Sequence, residues 1–400
     1  MELVGNILYG QSGGPSPVIN SSAYGVIDEA RKNNKIIKNI YCCHHGVEGI
    51  LKDDLIDLSN TPREQLNLLP HTPGAAFGSI RFKLSKPEEY KQILKVFKKH
   101  NIRYFFYNGG NDSMDTCNKI SKFLQKEGYD CKVIGIPKTI DNDLPMTDHT
   151  PGYASAAKFI ANMIAEAAYD ALAYKKGRVI VFEIMGRNAG WLAAASKLAC
   201  LTGFGPDLIY LPEKPFSMDK FRADVLKVYS RKHKCIVIAS EGIKYADKHY
   251  VAERKALDSF GHKQMGGVAS MLTENFTNMG IDTRAIEFSL LQRSATHLSS
   301  KVDVDEAVEV GRTAVKIALE GKTNFMVTIN RVSTNPYKSS FGHCKLSEVA
   351  NVEKVVPDYM INDEGNNVTR AFIDYALPLI EGENTSIYKN GLVQLAKIRL

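Results

Sequence analysis

The pattern of hydrophobic and polar positions along the chain alternates between two kinds of segment. Short apolar runs, typical of buried strands, lie at residues 4–10, 36–42, 104–107, 132–136, 178–184, 208–211 and 235–239. Longer amphipathic or alanine-rich stretches, typical of helices, lie at residues 87–100, 114–126, 154–174 and 189–200. This alternation predicts an α/β fold with mainly parallel sheets that helices cover on both faces.

The pattern becomes weaker after Arg331, where Asn, Ser and Gly are frequent, so we expect mostly loops in that part. The chain has 400 residues. A single hydrophobic core rarely grows that large, and we therefore expect two domains.

Charge and composition narrow the class of protein. The chain carries 51 Lys and Arg against 44 Asp and Glu, a net charge of +7 that suits anionic substrates without specifying nucleic acid. The basic cluster at residues 231–234 has no aromatic neighbours and is typical of a solvated face. We therefore expect no nucleic-acid partner.

Compartment and membrane association follow from other features. The seven cysteines are scattered without paired spacing, which is typical of reduced thiols. The N-terminal segment runs directly into a strand, and no apolar stretch is long enough to cross a bilayer. We expect a cytoplasmic protein that does not bind membranes.

Two polar loops follow apolar strands and carry the candidate chemistry. The run Gly-Gly-Asn-Asp-Ser occupies residues 109–113, and Lys-Thr-Ile-Asp-Asn-Asp occupies residues 138–143. Such loops lie where open α/β sheets bind their ligands. The first loop offers glycines for the close approach of a phosphate, and the second offers an ammonium and two carboxylates. Together with a glycine turn at residues 13–14 before a helix, they predict phosphoryl transfer.

The spacing of Asp141 and Asp143 sets a condition on the second loop. Residues two apart point to the same face of a regular strand, but this segment is a loop that follows a strand. In a loop that must deliver both carboxylates to one site, we expect a bent turn at this position.

At this point the chain resembles the 6-phosphofructokinase family, and more closely its pyrophosphate-dependent branch. The resemblance covers at least residues 4–313. The motifs that carry it lie at residues 10–15, 78–81, 109–113, 137–143, 185–187, 240–242, 283–284 and 292–293. It implies two Rossmann-like three-layer domains with the active site in the cleft between them. The first would hold residues 1–150 and 263–325, and the second residues 151–262 and 326–400.

The resemblance also implies a role for each candidate site residue. Asp141 would be the base that takes a proton from the sugar hydroxyl, assisted by Lys138 and Thr139, while Asp143 and Asn111 would hold Mg²⁺. The phosphoryl donor would be bound by Gly13, Gly14, Arg81, Gly110, Asp112, Ser113 and Lys138. The sugar phosphate would be bound by Thr139, Arg178, Met185, Gly186, Arg187, Glu241, Arg284 and Arg293. In the family, the counterparts of Arg178 and Arg284 reach in from a neighbouring subunit, which implies a homodimer or homotetramer.

Two positions indicate which donor is used. ATP-using relatives usually carry Gly at the position of Asp112, where a carboxylate fills space and repels the α-phosphate of a nucleotide. They also usually carry Gly at the position of Lys138, whose ammonium can pair with pyrophosphate. Two departures stand beside these. Asn111 replaces the usual Asp, and Leu290 replaces a His that touches the sugar phosphate in many relatives.

The sequence therefore predicts reversible transfer of a phosphoryl group from pyrophosphate to the 1-hydroxyl of fructose 6-phosphate, giving fructose 1,6-bisphosphate and phosphate. Three alternatives stay open: an ATP-dependent phosphofructokinase, a catalytically silent regulatory subunit that binds sugar phosphate, and a related kinase acting on NAD or lipid. Fructose 6-phosphate, pyrophosphate and phosphate are the expected partners, with Mg²⁺ as cofactor.

Overall fold

The computed structural model describes residues 3–257, 263–265 and 267–398. The strands are β1 (Gly5–Gln11), β2 (Ile37–Cys43), β3 (Leu55–Asp57), β4 (Ile102–Gly109), β5 (Lys132–Pro137), β6 (Arg178–Ile184), β7 (Leu208–Tyr210), β8 (Lys234–Ser240), β9 (Glu253–Leu257), β10 (Lys263–Met265), β11 (Asp282–Glu287), β12 (Phe325–Thr334), β13 (Tyr337–Lys345), β14 (Tyr388–Lys389) and β15 (Leu392–Val393). The helices are α1 (Ile19–Lys32), α2 (Val47–Lys52), α3 (Arg63–Leu68), α4 (Pro87–Lys99), α5 (Asn111–Lys126), α6 (Tyr153–Leu172), α7 (Trp191–Ala195), α8 (Met218–Lys232), α9 (Val268–Thr277), α10 (Lys301–Leu319) and α11 (Arg370–Ala376).

The larger sheet has seven strands in the order β13-β12-β5-β4-β1-β2-β3. Its central strands β12, β5, β4, β1 and β2 run parallel, and antiparallel strands close both edges. Helices α1 and α10 cover one face and α4 and α5 cover the other, so that each face has its own apolar core. This is the predicted three-layer arrangement.

Helices α1 and α10 approach each other unusually closely because each carries a glycine at the contact. A Cβ atom on Gly25 would lie 2.1 Å from the backbone oxygen of Val308, and one on Gly311 would lie 2.2 Å from that of Ser22. Neither position can accept a side chain without moving a helix backbone. The close contact holds α1, which follows the N-terminal glycine turn, against a helix that begins only at Lys301.

The smaller sheet has four parallel strands in the order β11-β6-β8-β7. Helices α6 and α7 pack on one face, and α8 and α9 pack on the other. The long alanine-rich helix α6 runs from Tyr153 to Leu172, close to the predicted 154–174. The α/β class and the mainly parallel sheets predicted from the sequence are confirmed.

Two expectations differ from the structure. After Arg331, where we expected mostly loops, the end of β12 and all of β13 continue as an antiparallel hairpin that extends the larger sheet. The predicted helix at 189–200 is shorter, because α7 ends at Ala195 and tighter 3₁₀ turns follow it. Strand β13 was missed because its polar residues face solvent at the edge of the sheet, which weakens the apolar alternation.

The sheets also divide the chain at points other than the predicted ones. Strand β11 lies inside the segment 263–325, yet it pairs with β6 of the smaller sheet. Strands β12 and β13 lie almost wholly after residue 325, yet they belong to the larger sheet. Within the segment 263–325, helix α10 does pack with the larger sheet, as expected. Residue 262, at one predicted boundary, lies outside the described residues.

Candidate active site

A cavity of about 260 Å³ lies between the two sheets, at the carboxyl ends of their parallel strands. From the larger sheet it receives the loops after β1, β4 and β5, and from the smaller sheet those after β6 and β8. The predicted site residues that line it are Gly13, Gly14, Arg81, Gly110, Asn111, Asp112, Ser113, Lys138, Thr139, Asp141, Asp143, Met185, Arg187, Glu241 and Arg293. Motifs from seven separate parts of the chain thus meet in one cleft.

The glycine loops and the start of α5 form one end of the cavity. Gly110 precedes the first turn of α5, in which Asp112 lies, and helix starts of this kind favour anions. The hydroxyl of Ser113 donates to that of Ser12 (2.9 Å), which joins the loop after β4 to the loop after β1. This end has the free backbone donors that a phosphate needs.

Lys138 is almost fully buried between these loops. Its Nζ donates to the backbone oxygen of Gly14 (2.5 Å), and its backbone N–H donates to Gly109 (3.1 Å). Burial lowers the pKa of Lys138 to about 8, against the opposing effect of the nearby Asp141 carboxylate. A compact cation therefore lies where the two glycine loops meet.

The turn that carries Asp141 and Asp143 is bent, as the sequence predicted. Asn142 between them has φ of +55°, in the left-handed region that Asn tolerates better than most residues. Both flanking carboxylates consequently line the cavity. The backbone N–H of Asp141 donates to the Thr139 hydroxyl (3.1 Å), which holds the turn against the start of the loop.

Enclosure changes the acidity of both carboxyl groups. Burial, and then the Glu241 carboxylate, raise the pKa of Asp141, while Lys138 and Arg187 partly oppose the shift. Burial, and then Asp141 and Glu353, raise the pKa of Asp143. Carboxyl groups with raised pKa values in a cleft are characteristic of catalytic sites.

Two oxygens in the cavity fit a divalent cation. Oδ1 of Asp143 and Oδ1 of Asn111 are both buried, and neither has a hydrogen-bond partner among the described residues. Buried oxygens of this kind are the ligands that Mg²⁺ prefers. No group of three or more His, Cys, Asp or Glu side chains in the described part of the chain is arranged to hold a metal. A cation here would therefore need further oxygens from a bound ligand.

The opposite end of the cavity is built by the smaller sheet. A positive φ of +140° at Gly186 leaves no room for a side chain, since a Cβ atom there would lie 2.5 Å from Ala189 O. Gly186 donates its N–H to Oε1 of Glu241 (3.4 Å), and this contact places the carboxylate beside Met185 and Arg187. Gly186 itself does not line the cavity, but its hydrogen bond holds Glu241, which does.

Arg293 reaches the cavity from the 3₁₀ turn after β11. Its neighbour Gln292 is buried and accepts a hydrogen bond from the Met185 N–H (3.2 Å), which fixes the turn. A Cβ atom on Gly14 would lie 3.1 Å from the Arg293 guanidinium and 3.8 Å from that of Arg81. Arg81 and Arg293 therefore form a cationic pair that grips anions well.

Arg178 and Arg284 lie outside this cavity. Arg178 begins β6 and donates from Nε to Asp282 (2.7 Å), and Arg284 on the edge strand β11 pairs with the same carboxylate (3.1 Å). Arg284 is exposed. The structure thus brings together all the predicted site residues except these two arginines and the supporting Gly186.

Sequence reasoning missed two polar lining residues, Asn188 and Glu353. Nδ2 of Asn188 donates to Oε1 of Glu353 (2.9 Å), so the two meet across the cavity mouth. Asn188 directly follows the motif at 185–187, and that proximity could have identified it. Glu353 lies in the part after Arg331 with no motif around it, and only the fold brings it beside Asp143.

Comparison with known proteins gives a consistent picture. The Phosphofructokinase family model matches residues 6–318. The chain belongs to the phosphofructokinase family. It is 42% identical to the pyrophosphate–fructose 6-phosphate 1-phosphotransferase of Halomonas elongata, covering 98% of this chain and 96% of that protein. It is 43% identical to the enzyme of the same name from Methylococcus capsulatus, covering 97% and 94%.

Among solved structures, the pyrophosphate-dependent phosphofructokinase of Marinobacter aquaeolei superimposes with a TM-score of 0.90. The two chains are 41% identical, and the match covers 98% of this chain and 96% of the other. The similarity therefore extends through the hairpin β12–β13 and the C-terminal part, which lie beyond the residues matched by the family model.

Proposed function

We propose that this phosphofructokinase transfers a phosphoryl group from pyrophosphate to the 1-hydroxyl of fructose 6-phosphate, reversibly. The observation that carries the proposal is the meeting of two sets of groups in one cleft. Phosphate-binding glycine loops with Lys138 form one end, Arg187 and Glu241 of the sugar-phosphate set form the other, and Arg293 lies near Gly14 beside Arg81. Asp141 lies between them. The names of the full-length relatives support the same reaction.

Asp141 is the base that takes the proton of the attacking hydroxyl. Its raised pKa brings it closer to neutral pH than an ordinary Asp, which improves proton transfer while the ionised form still dominates. The transition state of phosphoryl transfer is loose, so positioning and charge stabilisation contribute most of the rate. Lys138 and Thr139 supply these at the transferred phosphoryl group.

Mg²⁺ fits the unpartnered oxygens of Asp143 and Asn111, and when bound it would offset the charge of pyrophosphate. Asn111 is a neutral ligand, weaker than the Asp of most relatives, so Asp143 contributes the greater part of the protein's attraction. The remaining ligands would come from pyrophosphate and water.

Pyrophosphate is preferred over ATP because of the cavity's donor end. Asp112 lines it with a carboxylate at the first turn of α5, where an α-phosphate and nucleoside would have to pass. Gly13, Gly14, Gly110, Ser113 and Arg81 bind pyrophosphate. The alternatives are an ATP-dependent kinase, a silent subunit and a kinase acting on NAD or lipid. Each of them becomes the better hypothesis if the assay below shows no turnover with pyrophosphate.

The sugar-phosphate site is completed by Arg178 and Arg284 of a neighbouring subunit, in a homodimer or homotetramer. Arg284 lies on the edge strand β11 and Arg178 begins the neighbouring strand β6, and both are away from their own chain's cavity, which supports that assignment. No helix in the described part of the chain is long and apolar enough to cross a membrane. We place the enzyme in the cytoplasm, where these substrates occur.

The test is an assay of the purified protein with fructose 6-phosphate and Mg²⁺, comparing pyrophosphate with ATP at equal concentration. Turnover with pyrophosphate alone is the expected result. Turnover with ATP alone would retain the phosphofructokinase activity and reject the donor assignment. Silence with both donors would reject catalysis and leave the regulatory-subunit reading.

A further inference from the structure

The catalytic turn depends on a backbone conformation that has to be held in place. Asn142 adopts φ of +55°, and in this bent turn both Asp141 and Asp143 line the cavity. Left-handed backbone outside glycine is strained and persists where the surroundings enforce it. The carboxylates on either side of Asn142 line the cavity.

The constraint comes from the side chain of Asn142, which is completely buried. Its Oδ1 accepts from the backbone N–H of Thr150 (3.1 Å) and from Nζ of Lys354 (3.4 Å). Its Nδ2 donates to the hydroxyl of Tyr375 (2.8 Å). The turn is thus anchored from behind by groups that do not line the cavity.

Tyr375 is the contact that reaches the turn from another element. It lies on α11, and its hydroxyl also donates to the backbone oxygen of Asp148 (2.8 Å). One hydroxyl therefore joins Asn142 in the turn to Asp148 further along the chain. Its ring is fixed in turn: it packs against Trp191 with centroids 5.3 Å apart, and the Arg331 guanidinium lies 4.9 Å from its centroid.

We propose that Tyr375 is a positioning residue for phosphoryl transfer, whose hydroxyl holds Asn142 in the left-handed conformation and thereby aims Asp141 at the acceptor hydroxyl. Tyr375 touches neither substrate. Its effect is on the geometry of the base, where a displacement of about 1 Å can cost up to a hundredfold in rate. Substrate affinity depends on the glycine loops and on the arginines that line the cavity, and Tyr375 does not line it. We therefore expect substrate affinity to change little.

The test is Tyr375→Phe, which keeps the ring packing and removes only the hydroxyl. We expect kcat to fall about tenfold or more, with KM for fructose 6-phosphate and for pyrophosphate within about a factor of two. The matched control is Tyr210→Phe. It removes a hydroxyl that donates to Asp224 (3.0 Å) in the smaller sheet, away from the cavity. This control should leave kcat unchanged. A loss of kcat below threefold in Tyr375→Phe would overturn the proposal.

A double-mutant cycle shows whether Tyr375 acts through Asn142. Asn142→Gly keeps the left-handed backbone accessible and removes the side-chain anchors. We expect it to lower kcat by itself, and we expect Tyr375→Phe to add less than a twofold further loss in that background. Independent, multiplying losses would contradict the proposal. If Tyr375→Phe does not fold, Asn142→Gly alone tests the proposal, and an unchanged kcat in that variant would contradict it.

The kinetic readout rests on the proposed function, so wild-type turnover is measured first. Hydrogen–deuterium exchange over residues 139–150 does not depend on enzymatic activity, so it tests the role of Tyr375 separately from the proposed function. Tyr375→Phe should accelerate exchange of this segment, in which the Asp141 and Thr150 amides are hydrogen-bonded, while Tyr210→Phe should not. A silent wild type would reject the proposed function alone, and unchanged exchange would reject the role of Tyr375.

Discussion

At the scale of single residues, we expect Asp112 to determine the choice of donor, and the effects of its charge and its size can be tested separately. Asp112→Gly removes both, and we expect ATP-dependent turnover to rise by about tenfold or more, as one like-charge contact is worth more than about 1 kcal/mol in a cleft. Asp112→Asn keeps the size and removes the charge. If exclusion is mainly electrostatic, the Asn variant will gain most of the same activity in a steady-state assay with ATP. No gain in either variant would place donor choice elsewhere.

Asp141 is expected to contribute more to rate than any other single side chain of the cavity. Asp141→Asn removes the proton acceptor and keeps the shape, so kcat should fall about 10²- to 10⁴-fold. The thermal unfolding midpoint should fall little or rise, because a partly enclosed carboxylate is lost. Steady-state kinetics and a thermal melt measure both. A variant that retains a tenth of the activity would exclude Asp141 as the base.

The sequence could identify most of these residues, since Asp141, Lys138 and the glycine loops lie in continuous motifs directly after strands. Glu353 and Tyr375 could not be identified in this way. Each reaches the site only because α11 and the segment after β13 fold back against the catalytic turn. Residues that act through a distant contact leave no local pattern in the chain.

At the scale of elements, a buried ion cluster links the segment after the catalytic turn to α10. His149 is fully buried between Asp148 (2.8 Å) and Glu306 (2.6 Å). These two carboxylates raise the pKa of His149 to about 9 against the effect of burial. Because the folded pKa lies above the unfolded value of about 6.5, the contribution to stability is complete below pH 6.5 and is lost as pH rises through 9.

The prediction is a comparison of wild type with His149→Asn across this range. At pH 6.5 the variant should be less stable by about 3 kcal/mol, since it leaves carboxylates buried without their cation. The difference should shrink toward pH 9 and above. Urea denaturation at several pH values measures it, and the comparison removes the effect of other groups that titrate in both proteins. A difference independent of pH would show that His149 is neutral in the folded protein.

The elements themselves were predictable where the apolar pattern was strong. Strands β1, β4, β5, β6 and β8 and helices α4 and α6 were found close to their observed bounds, because both faces of these parallel sheets are covered. The hairpin β12–β13 was not, since β13 and the second half of β12 alternate between partly buried and exposed positions and give a weak apolar signal. The sheet to which β11 belongs could not be derived, because strand order depends on long-range pairing and not on local sequence.

At the scale of the whole molecule, the positions of Arg178 and Arg284 lead to a test of shared sites. Arg284 is exposed on the edge strand β11 and lies outside its own chain's cavity. If Arg284 serves a neighbouring subunit, Asp141→Asn inactivates the site of its own chain, and Arg284→Ala inactivates the site of the neighbouring chain. A hybrid dimer then holds one site with both residues intact and one with neither.

Random mixing of the two variants at equal concentration gives hybrids as half of all dimers, each with one working site. Activity should therefore return to about a quarter of wild type after the two inactive proteins are unfolded and refolded together. Mixing without refolding is the control, and it should stay inactive while subunits do not exchange. If each site used only its own chain's arginine, a hybrid would contain no intact site and refolding together would restore nothing. The arginines would then belong to structure at the sheet edge, where Asp282 already pairs with both.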